Sequence, residues 1–457
     1  MTSKNASQTQ PCLQNAEQLE ERTVLSGAAI VQPFSNVEYF GHTTNDWSPN
    51  AINAPEAWAQ GFTGQDVVIA IIDTGVELHH EDLVHSIWEN ENEIPGNGID
   101  DDSNGFVDDV HGWDFVDDDA DVSDPAGHGT AIAGSIVAAR NDYGITGVAY
   151  DAQIMVIRVL AEDGVGTQLD IGAGIRYAVA NGADIINLSL GGTGSRRVSS
   201  AIQYAEDEGV LVVAAAGNAA GNSPDFPAQY SGQFTNVISV GAFDNELELA
   251  AFSNTVGTSG AVQVDAPGYR VYSTSLDDSY RFISGTSIAT PHVVGIAALA
   301  LSANDELTPA ELRTFIIDGA TQYVRFSDSL GGVNAATTVA FAAASAPQPP
   351  QNTTLIDETF AEPTPPIAEE QLSPLASVGD TDGDFDIDFH DFLVVSRNFG
   401  TSPDEVGTNG DLDGDGNVDF DDFLTFARNF GRQHDQVFAR DADLGDPPLA
   451  EDLLGEA

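Results

Sequence analysis

The apolar run Val67-Val-Ile-Ala-Ile-Ile72, ending at Asp73-Thr-Gly75, constrains the fold more than any other stretch. It has strand length and no polar alternation, which is the pattern of a parallel strand buried on both faces. Comparable runs follow at Ile154 to Val159, Ile185 to Leu188, Leu211 to Ala215 and Val237 to Val240. Helical stretches lie between them, notably Gly129 to Arg140, Leu169 to Ala180 and Val198 to Glu208. This alternation predicts an α/β fold, a mostly parallel central sheet with helices on both faces. Ligands of such sheets gather at the carboxyl ends of the strands, and Asp73 sits at one such end.

Two other segments carry a reactive side chain beside small residues. Gly127-His128-Gly-Thr-Ala-Ile-Ala-Gly134 puts an imidazole at the head of a helix that another backbone can approach closely. Phe282-Ile-Ser-Gly-Thr-Ser287-Ile-Ala-Thr-Pro-His292 turns at Gly285-Thr286 and sets Ser287 before the apolar run Val293 to Leu301, which reads as a buried helix. A serine there lies near unpaired backbone N–H groups and the positive end of the helix dipole, which together can hold an oxyanion. Serine is a poor nucleophile until a base takes its proton, and that base needs a partner to fix its tautomer. Asp73, His128 and Ser287 supply the three parts. Asn218, at the end of Ala214-Ala-Ala-Gly-Asn218, offers an amide that could donate to the oxyanion.

Asp73-Thr-Gly75, His128-Gly-Thr130 and Gly285-Thr-Ser-Ile-Ala-Thr-Pro291 resemble the three signature segments of the subtilase family, the subtilisin-like serine proteases, in that family's Asp–His–Ser order. The resemblance covers about Asp46 to Ala340. It implies Ser287 as nucleophile, His128 as general base and then acid, Asp73 as orienter and Asn218 as oxyanion donor. Asn187-Leu-Ser-Leu-Gly-Gly192 is similar to the family's substrate-binding strand, so Ser189, Leu190 and Gly191 would pair with a peptide as an added strand. Asp225, in Asp225-Phe-Pro-Ala-Gln-Tyr230, aligns with the floor of the primary specificity pocket, where it would favour arginine or lysine; a solvated loop carboxylate is the alternative. Adjacent His79 and His80 read as surface or packing residues, and His292 as a core residue. The family usually carries an N-terminal propeptide domain, and the residues before Asp46 read as too few and too polar for one.

Oxygen-bearing side chains recur at alternate positions in two further places. Between the Asp73 and His128 segments, Asp100, Asp102 and Asn104 precede Gly105, with the Phe106 carbonyl and Asp109 next. Such a loop can wrap a calcium ion. Near the C-terminus the chain repeats itself 31 residues apart, from Asp380 to Asp411. Asp411, Asp413, Asp415, Asn417 and Asp422 fit positions 1, 3, 5, 7 and 12 of an EF-hand loop, and Asp380, Asp382, Asp384 and Asp391 fit positions 1, 3, 5 and 12 in the first copy. Phe385 replaces the glycine of the sixth position there. Each copy ends Arg-Asn-Phe-Gly. The pair resembles a dockerin, a small all-α calcium module that docks enzymes to scaffold proteins through cohesins; the alternative is a calcium pair that only stabilises the C-terminus.

Fifteen Lys and Arg against 72 Asp and Glu give a formal charge of −57, and Lys4 is the only lysine. That balance argues against nucleic acid and fits high salt or bound divalent cations. Cys12 is the only cysteine, which excludes an intrachain disulfide. No apolar run approaches the roughly 18 residues that span a bilayer. Leu19-Glu-Glu-Arg-Thr-Val-Leu-Ser26 resembles a tract near the N-terminus of many bacterial envelope and surface proteins. The expected organisation is an export, sorting or short pro-segment (1–45), a catalytic domain (46–343), a Pro-rich linker (344–375), the dockerin-like repeat (376–432) and an acidic tail (433–457). The expected function is a secreted or cell-surface, calcium-stabilised serine endopeptidase. The rival is a catalytically inactive, calcium-dependent peptide-binding protein on the same fold.

Overall fold

The computed structural model describes residues 47–141 and 143–346, together with the backbone of Arg22–Val24. The expected linker boundary at 343/344 needs correction, since the helix Ala335–Ser345 runs past it; the linker beyond 346, the repeat with its ligand candidates Asp380 to Asp422, the acidic tail and nearly all of the N-terminal segment lie outside the described residues. The strands are β1 (Arg22–Val24), β2 (Val68–Asp73), β3 (Gly112–Asp114), β4 (Gln153–Arg158), β5 (Val165–Thr167), β6 (Ile185–Leu188), β7 (Leu211–Ala215), β8 (Val237–Phe243), β9 (Gln263–Pro267), β10 (Val271–Ser275) and β11 (Ser279–Ile283). The helices are α1 (Ser48–Ala51), α2 (Ala54–Ala59), α3 (His128–Val137), α4 (Gln168–Ala180), α5 (Arg196–Asp207), α6 (Thr286–Ala303), α7 (Pro309–Asp318) and α8 (Ala335–Ser345).

Seven strands make one parallel sheet in the order β3-β4-β2-β6-β7-β8-β9. Successive side chains of a strand point to opposite faces, so each central strand feeds two cores. Ile69 and Ile71 of β2 pack with Ile132 and Ile136 of α3 and Val293 of α6. Ala70 and Ile72 pack on the other face with Ile171 and Ile175 of α4 and Ile202 of α5. Fully burying each isoleucine contributes roughly 1.5–3 kcal/mol. This two-sided covering is why Val68 to Ile72 of β2 and all of β7 are apolar at every position. Two small antiparallel pairs stand apart from the main sheet, β1 with β5 and β10 with β11. β1 falls within the Leu19 to Ser26 tract.

The edge strands carry polar residues and were not anticipated. In β9 the carboxylate of Asp265 is fully buried and accepts hydrogen bonds from the Ser327 and Ser329 hydroxyls. Burial holds its pKa above the ordinary carboxylate range, with those hydroxyl bonds opposing. Helix α6 is 18 residues long and apolar enough to cross a membrane by length and composition, but 89% of it is buried inside the fold. It is the central core helix, apolar because the sheet and its neighbouring helices cover it.

Candidate active site

β2 ends at Asp73, whose side chain is wholly buried. Its Oδ1 accepts the Thr74 N–H at 2.8 Å and lies 2.7 Å from Nδ1 of His128, the first residue of α3. The flanking glycine makes this contact geometrically attainable. A Cβ on Gly129 would lie 2.1 Å from the Gly75 carbonyl oxygen and 3.3 Å from Asp73 Cβ. No side chain fits between the head of α3 and the end of β2, so the two backbones close up and the imidazole reaches the carboxylate.

Ser287 is the second residue of α6, which packs against α3. Pro291, one turn on, has no N–H to donate to the Ser287 carbonyl. The Ser189 hydroxyl takes that acceptor instead, donating at 2.7 Å, and itself accepts from Asn187 Nδ2 at 3.0 Å. The segment expected to bind peptide is therefore tied to the backbone of the expected nucleophile. Leu190 and Gly191 follow, both buried, and Gly192 exchanges two backbone hydrogen bonds with Phe226.

Thr286 orients Asn218, a role that the sequence did not reveal. The Thr286 hydroxyl accepts from the Gly217 N–H and donates to Asn218 Oδ1, both at 3.0 Å, and the Thr286 N–H donates to the same Oδ1 at 2.8 Å. With its oxygen held twice, the amide must point Nδ2 away. Among the described residues nine buried side-chain polar atoms lack a protein partner, and four of them are Asp73 Oδ2, His128 Nε2, Asn218 Nδ2 and Ser287 Oγ. Buried polar groups are nearly always satisfied in native proteins. That each of these four residues carries one of the nine exceptions is what a site that receives its partners from a substrate requires.

Asp225 stands beside this group. A Cβ on Gly217 would meet Asp225 Oδ2 at 2.3 Å, so the carboxylate abuts the residue preceding Asn218. Burial alone raises its pKa above the ordinary carboxylate value. His79 is exposed, whereas His80 is buried, with Nε2 3.2 Å from the Ser279 carbonyl oxygen. His292 is buried with Nδ1 2.9 Å from the Ile288 carbonyl, and desolvation pushes its pKa down to about 4, so it stays neutral.

The acidic loop folds around a residue that its own pattern does not contain. Glu93, Asp100 and Asp102 each present an oxygen, all within 4.8 Å of one another. Glu93 Oε1 also accepts the Asp101 and Asp102 N–H groups, and its Oε2 accepts the Asp108 N–H. Asn104 donates to Asp102 and Asp109 and accepts the Phe106 N–H on its own side-chain oxygen. Asp109 is turned toward Tyr177, whose hydroxyl donates to it at 2.5 Å, and toward Asn90. Burial raises the Asp109 pKa, those hydrogen bonds oppose, and the nearby charge of Asp102 adds to the rise.

A carboxylate–imidazole pair at the rim of a parallel sheet, a buried serine with an unpartnered hydroxyl at a helix head and an oriented amide define a serine hydrolase of α/β architecture. The profile described as "Subtilase family" matches residues 64–340. The chain is 40% identical over 269 residues to thermitase of Thermoactinomyces vulgaris, covering 58% of this chain and 85% of that protein. It is 37% identical over 271 residues to subtilisin DY of Bacillus licheniformis (59% and 89%), and 35% identical over 298 residues to alkaline elastase YaB of Bacillus sp. strain YaB (64% and 70%). This chain belongs to the subtilase family and is a subtilisin-like serine endopeptidase.

Proposed function

We propose that the protein is an exported, calcium-stabilised endopeptidase that cleaves peptide bonds through an acyl-enzyme on Ser287. His128 Nε2 takes the Ser287 proton as the hydroxyl attacks the scissile carbonyl, and later delivers it to the leaving amine. Asp73 fixes the imidazole tautomer through Nδ1 and stabilises the imidazolium. Asn218 Nδ2 and the Ser287 N–H receive the developing oxyanion, while Ser189, Leu190 and Gly191 align the peptide as an added strand. The observation that carries this reading is the set of four unpartnered buried atoms on Asp73, His128, Asn218 and Ser287. Degradation of unfolded casein, with and without chelator and with Ser287→Ala as control, tests it. Intact casein after incubation with the calcium-loaded wild type would refute it.

The oxygen-only donor set of Glu93, Asp100 and Asp102 suits a hard cation. Calcium there would supply positive charge to three converging carboxylates, with Asn104, the Phe106 carbonyl and Asp109 as further candidates. Removing it with EDTA is expected to lower stability by about 3 kcal/mol, as for a site held near 100 times its Kd. The melting temperature of the Ser287→Ala protein, free of autolysis, measures this; an unchanged value in EDTA would remove calcium from the reading. The Asp380–Asp391 and Asp411–Asp422 loops are read as a dockerin-like calcium pair that attaches the protease to a cohesin-like scaffold or to the cell surface. Pull-down with cohesin domains tests that attachment, and failure to bind in calcium would leave the pair as a stabilising module only.

Asp225 would place an unpaired carboxylate in the pocket that takes the residue before the scissile bond. A charge-assisted hydrogen bond there contributes roughly 1.5–3 kcal/mol. Asp225→Ser is accordingly expected to lower the Arg-over-Phe ratio of kcat/KM by about 10- to 100-fold. Because burial raises the Asp225 pKa, the arginine preference should fade on acidification at a higher pH than an exposed aspartate would give. Equal rates on Arg and Phe peptides with the wild type would end this assignment.

A further inference from the structure

The contact between Asp73 and His128 joins residues 55 apart in the chain at 2.7 Å, and a second buried carboxylate holds the two segments in place. Asp124 is only 7% exposed. Its Oδ1 accepts from the Thr74 hydroxyl at 2.8 Å, the Ala126 N–H at 2.9 Å and the Gly127 N–H at 2.8 Å. Its Oδ2 accepts from the Thr130 N–H at 2.9 Å and the Thr130 hydroxyl at 2.7 Å. Each side of the junction is thereby gripped. Thr74 follows Asp73 at the end of β2, while Gly127 and Thr130 bracket His128 at the head of α3.

The network closes through the same hydroxyls. Thr74 Oγ1 accepts the Gly129 N–H at 3.0 Å, and Thr130 Oγ1 accepts the Glu77 N–H at 3.0 Å. The first N–H groups of a helix have no partner within it. The cap position of α3 is Gly127, which has no side chain to offer them. Asp124 supplies from outside the helix what the cap residue lacks, and its negative charge faces the positive end of the α3 dipole.

We propose that Asp124 is a positioning residue for proton transfer: by binding Thr74 on one side and the Gly127–Thr130 backbone on the other, it sets the Asp73–His128 distance. This rests on the endopeptidase reading of the site. The Asp124 carboxylate bonds Thr74, Ala126, Gly127 and Thr130 and neither the His128 ring nor Ser287, so its effect should fall on turnover and leave peptide binding nearly unchanged.

For Asp124→Ala, kcat on a chromogenic peptide is expected to fall about 10- to 100-fold, with KM within about twofold, as for a lost alignment that binding does not need. A looser Asp73–His128 contact stabilises the imidazolium less. The acid limb of the kcat/KM profile should therefore move to lower pH. In an Asp73→Ala background the same substitution should add less than about threefold, because the contact it supports is already gone. Thr74→Val removes one donor from the network at less risk to folding, and should shift the acid limb in the same direction with a several-fold loss of kcat.

The proposal is overturned if Asp124→Ala lowers the melting temperature but leaves kcat and the acid limb unchanged, or if its full effect persists without Asp73. If Asp124→Ala does not fold, Thr74→Val decides: an unmoved acid limb refutes the assignment. Failure of the endopeptidase reading would appear separately, as wild-type protein without peptide hydrolysis.

Discussion

Replacing Ser287 by alanine is expected to lower kcat on a peptide substrate by about 10⁶, a figure carried over from subtilisin itself, this family's type case. Stability should change by less than about 0.5 kcal/mol. The two expectations have separate causes. Ser287 Oγ is buried without a hydrogen-bond partner, so its removal strands no donor or acceptor that the folded protein had satisfied. Alanine is also the best helix former, and the position lies in the first turn of α6. A fluorophosphonate probe should label the wild type and not the variant, with both showing the same urea midpoint. Wild-type turnover in the variant would show that another residue carries the chemistry.

The Arg158→Ala exchange is expected to cost about 3–5 kcal/mol of stability, the usual penalty for removing one partner of a buried ion pair. In the parallel register Arg158, at the end of β4, lies between Asp73 of β2 and Asp114 of β3. Its guanidinium bonds the wholly buried Asp114 and, at 2.7 Å, the exposed Asp117. Asp114 also accepts the Val116 N–H at 2.6 Å. Burial nevertheless keeps the Asp114 pKa above the ordinary carboxylate range, against the pull of those backbone bonds and of Arg158.

The sign of the pH dependence follows from that raised pKa. A carboxyl that is harder to ionise when folded lowers stability above its folded pKa, and the penalty disappears as pH falls and it protonates. Without Arg158 the folded pKa rises further, so the variant's deficit should be largest at neutral pH and shrink in acid. Urea unfolding of both proteins in the Ser287→Ala background, at neutral and acidic pH, checks this. A deficit that does not depend on pH would mean that lost packing, and not the stranded charge, is responsible.

The centre of the fold was legible because a strand buried on both faces must be apolar throughout, as Val68 to Ile72 is. The edges were not. β9 hides Gln263, which pairs with Ser239 and Asn254, and Asp265, whose carboxylate is satisfied by Ser327 and Ser329, more than 60 residues onward. The same division runs through the site. The small residues around Asp73 and His128 announced a close approach, and the 2.7 Å contact lies there. The orientation of Asn218 depends on Thr286, 68 residues away, and the acidic loop closes on Glu93, which precedes its alternating pattern. Local spacing can reveal a turn or a helix head; it carries no record of which distant donor will satisfy it.

Pro291 leaves the Ser287 carbonyl free, and the Ser189 hydroxyl takes it. On the proposed reading, the peptide-aligning segment and the attacking hydroxyl therefore share one mechanical joint. A peptide that seated poorly along residues 189–191 would then disturb the aim of the hydroxyl along with its own grip, so selectivity among sequences should be read in the speed of acylation more than in how tightly each is held.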